Sequence, residues 1–182
     1  VVASLDFTNP PQDTYPSSVA DVNYGIRWLK ANAPRFKSRA DLVGAMGTSS
    51  GGHLAVLNGF KPKDPRYCTR DLPGFDAGIG YVVTLWPVIC PLARYRHRGA
   101  KVAGEKIYGR EDNPVTMQKL YWLSEDAMAE GSPLLALERG DELEKPNILY
   151  VQHREDGLHP AELMDRFADT YRARGGQIQL ET

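Results

Sequence analysis

Cysteine is scarce in this 182-residue chain: Cys68 and Cys90 are the only two, too few for a disulfide framework. That scarcity suits a reducing cytoplasm, with a single bridge between the pair left open. An excess of charge of one sign is also missing. The 22 Lys and Arg nearly balance 23 Asp and Glu, for a net charge of −1, which argues against a nucleic-acid or membrane-surface partner. No apolar run is long enough to span a bilayer. No charged segment followed by an apolar one opens the chain, as a secretory signal would require. Internal repeats and low-complexity tracts are absent too. What is present is ordinary for one globular domain with a substantial core: 42% hydrophobic and 25% charged residues.

Apolar strand-like runs alternate with helical patterns, the signature of a mostly parallel sheet with flanking crossover helices. Val1 to Phe7 reads as the first strand. Pro16 to Asn32 follows as a helix with Val19, Val22, Ile26 and Leu29 on one face, a first-turn Pro16 and a stop at Pro34. Leu42–Met46 reads as a short buried strand, Gly52–Leu57 as helix, and Ile79–Leu85 as strand. Regular alternation then breaks, and residues 88–131 read as a cap or lid inserted within a domain spanning 1–182. Asn147–Val151 reads as strand, followed by a helix carrying Leu163, Met164, Phe167, Ala168 and Tyr171. Gly175-Gly176 ends that helix and Gln177–Leu180 starts another strand. A strand at each terminus makes both ends look cut, so the chain reads as the central and C-terminal portion of a larger α/β domain.

Between the Leu42–Met46 strand and its helix lies Gly47-Thr48-Ser49-Ser50-Gly51. Strand, G-x-S-x-G, helix is the setting of a nucleophile elbow, in which a serine sits on a strained turn. Glycines flanking the serine are expected to permit the unusual backbone and the close approach of strand and helix. Ser49 is therefore the candidate nucleophile. A serine hydroxyl needs a base, and the base needs an orienting acid. In elbow enzymes the order along the chain is Ser, Asp or Glu, His, with the acid in a loop after a later strand. Asp156 stands in such a loop, after strand 147–151, and is preferred over its neighbour Glu155. The histidine is expected after the final strand, beyond Thr182. Of the four present, His53 reads as a packed or hydrogen-bonded helix residue and His97 as part of a solvated basic face. His153 and His159 flank the acid; His159 could stand close to the site and is the first suspect should the base lie within the chain, but preceding Pro160 at a helix start it reads more naturally as a cap or rim residue. An oxyanion hole would use the backbone N–H of Ser50 and a second N–H from a loop before Val1. This chemistry calls for no cofactor and no metal.

The segments Val1–Phe7, Tyr15-Pro16-Ser17-Ser18-Val19-Ala20-Asp21-Val22, Trp28–Asn32 and Gly47–Ala55 together resemble the α/β-hydrolase esterases. The resemblance is strongest to the hormone-sensitive-lipase-like and feruloyl-esterase-like (BD-FAE-like) branches, and the acid loop and Arg172–Gly176 fit it as well. It implies an α/β-hydrolase fold and a carboxylic-ester hydrolase, with Ser49 as nucleophile, Asp156 as acid, Ser50 as oxyanion donor and a small-molecule ester as substrate. It also implies a His-Gly-Gly type motif upstream and a catalytic histidine downstream. Two departures bear on substrate choice. Gln152-His153 stands where relatives often carry His-Gly, and Thr8-Asn9-Pro10-Pro11 replaces an arginine-containing loop.

Peptidases and amidases use the same elbow, and a catalytically silent hydrolase-fold binding module is a further alternative. Trp86, Tyr95, Tyr121 and Trp122 are candidates for an acyl or alcohol pocket, with core or cap packing the plainer role for each. The basic run Arg94–Lys101 reads as a solvated face. Asp21 is expected to make structural hydrogen bonds, and Ser132-Pro133 to start a helix. The sequence leaves homo-oligomerisation open.

Overall fold

The computed structural model describes residues 1–101 and 114–182, with side chains placed for residues 1–97 and 117–182. Among them a four-stranded, all-parallel sheet has the order β1-β2-β3-β4, comprising β1 (Gly44–Thr48), β2 (Tyr81–Leu85), β3 (Asn147–Val151) and β4 (Ile178–Glu181). The helices are α1 (Ser17–Ala31), α2 (Ser50–Phe60), α3 (Pro91–Lys101), α4 (Pro114–Trp122), α5 (Glu125–Glu130), α6 (Pro133–Arg139) and α7 (Ala161–Ala173). Strands at 44–48, 81–85, 147–151 and 178–181 stand close to their expected places. β1 begins two residues later than its apolar run, because Val43 contributes to α1 packing instead. Part of the expected cap, residues 102–113, lies outside the described residues, as do the side chains of Arg98 and Lys101 in the basic run.

The Val1–Phe7 strand does not form. Val1 and Val2 are almost fully exposed, and an extended segment without a neighbouring strand has no ladder to join. Leu5 and Phe7 still pack against the cluster of Val19, Val22 and Ile26 on α1. Asp21 fastens this segment, accepting from Thr8 N at 2.8 Å and Thr8 Oγ1 at 2.7 Å. Both cysteines carry free thiols, Cys90 within the core.

Ala45, Val82, Ile148, Tyr150, Ile178 and Leu180 share one face of the sheet and join one apolar cluster, while Met46 and Tyr81 on the alternate face are exposed. On one face α2 and α7 meet through Phe60, Phe167 and Tyr171. The rings of Phe167 and Tyr171 stack at 5.8 Å, and the Tyr171 hydroxyl donates to the Pro146 carbonyl at 2.6 Å. A second cluster lies where α1 packs on Leu54 and Leu57 of α2 with Tyr67 and Ala77. Helix α2 is buried from Gly52 to Phe60, as a helix apolar on all sides must be. Ser132 caps α6 by accepting from Leu135 N at 3.2 Å, with Pro133 in the first turn.

The turn from β1 into α2 depends on two glycines, and they are not the pair that brackets the serine. A Cβ on Gly47 would lie 2.3 Å from the Gly51 carbonyl, and one on Gly52 would lie 2.3 Å from Thr84 Oγ1 and 2.9 Å from Pro87 Cβ. A Cβ on Gly51 would meet nothing within 4 Å. The expected close approach therefore falls on Gly47 and Gly52. Gly52→Ala should cost about 1–3 kcal/mol through overpacking against β2. Gly51→Ala should leave stability unchanged or raise it slightly, since alanine favours helix. Urea-unfolding midpoints of the two variants check this, and equal losses would contradict it.

His53 is the structural residue its position on α2 predicts. Its Nε2 lies 2.8 Å from the Gly131 carbonyl and its ring meets the edge of Trp122 at 5.4 Å. Burial pushes its pKa down to about 4, against the opposing pull of the Gly131 carbonyl and Glu130. The unfolded chain takes up a proton below about pH 6.5, while folded His53 stays neutral until near pH 4. Stability should fall as pH drops through that window, by on the order of 3 kcal/mol from this group. Unfolding at neutral pH and at about pH 4.5 should show a smaller acid loss in His53→Gln than in the parent. Parallel losses in both would assign the effect to other groups.

Candidate active site

Register brings the strand ends level. Thr48 pairs with Leu85, Leu85 with Val151, and Val151 with Glu181. The ladder runs one residue further: Ser49 N donates to Leu85 O at 2.9 Å, Trp86 N to Val151 O at 2.7 Å, and Gln152 N to Glu181 O at 2.9 Å. Ser49, Trp86 and Gln152 thus stand side by side at the carboxyl edge of the sheet, where parallel α/β proteins place their ligands.

Ser49 occupies φ 50°, ψ −115°, a region that side-chain-bearing residues seldom enter. Such a conformation costs on the order of 1–3 kcal/mol and persists only where its surroundings enforce it. Here they do: the Ser49 carbonyl accepts from both His53 N and Val88 N at 3.1 Å, while its amide is tied to β2. Trp86 also has positive φ, at 36°. Ser50, the first residue of α2, has an amide in the first turn, where helical N–H groups lack intrahelical acceptors and the dipole favours negative charge.

The loop after β3 brings Asp156 and His159 to the same edge. Asp156 Oδ1 accepts from Leu158 N at 2.7 Å and His159 N at 3.2 Å, folding the loop back on itself. Its Oδ2 lies 2.9 Å from His159 Nδ1, and His159 Nε2 lies 3.5 Å from Ser49 Oγ. Burial raises the Asp156 pKa, but the Leu158 N–H, the His159 ring and the His159 N–H together outweigh it and hold the carboxyl below its ordinary range. Glu155 is exposed and stands outside this chain of contacts.

His159 is therefore not the rim residue its place before Pro160 implied. It is 5% exposed, and its carbonyl accepts from Gln152 Nε2 at 2.8 Å. Gln152, itself buried, accepts from the Tyr150 hydroxyl at 3.2 Å. The signal in the sequence was the Asp156-Gly157-Leu158-His159-Pro160 spacing. An aspartate that bonds the amides two and three residues on brings the third side chain back beside its own carboxylate.

An open groove of about 690 Å³ runs past these residues, lined by Ser49, Trp86, Gln152, His153, Glu155 and Leu158 among others. Of the aromatic candidates only Trp86 reaches it. Trp122 is buried against Tyr15 at 4.5 Å and His53, Tyr121 packs edge-on to Trp122, and Tyr95 meets Lys119. Arg96, from the basic run, pairs with Glu125 at 2.6 Å. Among the described residues no group of His, Cys, Asp and Glu is arranged to hold a metal ion, and no helix is long and apolar enough to cross a membrane.

Residues 1–80 match the BD-FAE family model. Over 77 residues the chain is 29% identical to Esterase LipQ of Mycobacterium tuberculosis (strain ATCC 25618 / H37Rv), a match covering 42% of this chain and 17% of that protein. The acetyl ester-xyloside bifunctional hydrolase from Caldicellulosiruptor lactoaceticus superposes with a TM-score of 0.58 at 22% identity, over 94% of this chain and 56% of the other. A truncated carbohydrate esterase from gut microbiota superposes with a TM-score of 0.71 at 18% identity, over 98% and 63%. The chain thus spans under two thirds of the length of these relatives. It has the α/β-hydrolase fold, and through residues 1–80 it matches the BD-FAE family.

Proposed function

We propose that this site hydrolyses carboxylic esters of small molecules through an acyl-enzyme on Ser49. The observation that carries the reading is the strained Ser49, its Oγ facing an imidazole that is bonded to Asp156, at the edge of an open groove. The fold and the esterases among its relatives support ester chemistry over other uses of the elbow.

In the first half-reaction Ser49 Oγ attacks the ester carbonyl as its proton passes to an imidazole oriented by Asp156. The carbonyl electron pair moves onto oxygen, which accepts from the Ser50 N–H. Collapse expels the alcohol, which takes up the proton from the imidazole. Water repeats the sequence on the acyl-enzyme, releasing the acid and restoring Ser49. Asp156, held ionised well below neutral pH, keeps the ring in one tautomer and stabilises its cation.

The groove carries the carboxylates of Glu155, Asp156 and Glu181 and no lysine or arginine among its described lining residues. Neutral esters suit it better than anionic ones. Residues 88–131 are proposed as a cap insertion within the domain.

Ser49→Ala in the full-length protein should lower turnover of p-nitrophenyl acetate or butyrate by roughly 10³-fold or more. A fluorophosphonate should label Ser49, read by peptide mapping. Unchanged turnover in Ser49→Ala would remove the nucleophile assignment.

A further inference from the structure

We infer that His53 is a positioning residue for the oxyanion donor: through its bond to the Gly131 carbonyl it fixes the peptide plane that aims the Ser50 N–H. This rests on the ester-hydrolase reading, in which that N–H receives the developing charge. The imidazole itself takes no part in bond making.

A peptide unit is planar and trans, so the Ser49 carbonyl and the Ser50 N–H point in opposite directions from one rigid plate. Whatever holds the carbonyl therefore aims the N–H. The plate needs holding, because Ser49 sits at φ 50°, ψ −115°, a conformation that persists only where its surroundings enforce it. Two donors hold its carbonyl, His53 N and Val88 N, each at 3.1 Å.

From these two donors, separate routes lead to the same short segment around the start of α6. Val88 is followed by Ile89, whose carbonyl accepts from Leu134 N at 3.1 Å and from the Ser132 hydroxyl at 3.4 Å. His53 reaches the segment through its side chain, whose Nε2 lies 2.8 Å from the Gly131 carbonyl. A carbonyl only accepts, so the neutral ring carries its proton on Nε2. The circuit thus closes on the Ser49 carbonyl, with residues 131–134 as its far side. Ring and acceptor are also pressed on one aromatic surface. The buried His53 ring meets Trp122 edge-on at 5.4 Å, and Gly131 packs so closely on the same indole that a side chain there would overlap it.

The Ile89 carbonyl is held twice, while the imidazole carries the link from the first turns of α2 to Gly131. Losing that donor frees the Ser49–Ser50 plate to turn. The Ser49 amide stays tied to Leu85, so the nucleophile keeps its place in the groove. Substrate binding is then spared and the charged transition state is not.

In the full-length protein, His53→Leu should lower kcat for p-nitrophenyl butyrate by about 10–100-fold, with KM within about twofold of the parent. Affinity for a trifluoromethyl ketone, which adds to Ser49 and places an oxyanion at the same N–H, should fall in proportion. His53→Gln, whose amide N–H can replace the Nε2 donor, should recover most of both losses. Lost folding stability alone would move neither quantity. Tyr171→Leu, in the core beside Pro146 at the opposite edge of the sheet, should lower the unfolding midpoint and keep parental kcat well below it. Should His53→Leu fail to fold, nitrogen NMR of the histidine-labelled parent at neutral pH should show the His53 ring protonated on Nε2; a proton on Nδ1 would overturn the proposal. Parental kcat and inhibitor affinity in His53→Leu, or no recovery in His53→Gln, overturn the positioning role and leave the ester-hydrolase reading standing. Parental turnover in Ser49→Ala would instead overturn that reading.

Discussion

The site depends on how the backbone of Ser49 is tied. Its amide donates to Leu85 on the neighbouring strand, and its carbonyl accepts from both His53 and Val88. Three hydrogen bonds to three separate places leave no room for the turn to relax, so the strained φ is retained and the hydroxyl stays at the groove. Those ties exist only because α2 approaches the sheet closely enough, and that approach needs the bare Cα atoms of Gly47 and Gly52.

The same economy of space explains the rest of the site. Level register along β1, β2 and β3 brings the first loop residues abreast, so Trp86 and Gln152 become neighbours of the serine without any long excursion of chain. The β3 loop then has only to turn once to deliver both a carboxylate and an imidazole. Asp156 performs that turn with one oxygen and holds the ring with the other. The hydrogen bonds that shape the loop also keep this carboxyl ionised.

Away from the site, a polar network gathers around Glu130. Tyr15 donates to Glu130 and lies 2.8 Å from the Tyr67 hydroxyl, while Arg66 and Lys61 supply the opposing charge to Glu130. This network joins the start of α1 to the end of α5 and stands beside His53 and Trp122. His53, one turn beyond Ser49, is packed beside it and bonded to the Gly131 carbonyl.

The order of elements, the parallel sheet and the strained turn at Ser49 were legible in the sequence, because each is a local pattern. Apolar runs bounded by turn residues make strands, and a G-x-S-x-G between strand and helix admits few backbones. The strand expected at Val1–Phe7 failed because a strand is defined by its neighbour, which no local pattern contains. Which glycines were indispensable was decided by Thr84 and Pro87, distant in sequence and close in space. The position of His159 was decided the same way: its ring faces Ser49, 110 residues earlier, only after register has levelled the strands and Asp156 has closed the loop. Residue types and short spacings determined what chemistry the chain could carry. Long-range packing and hydrogen bonding alone decided which imidazole stands within reach of the serine.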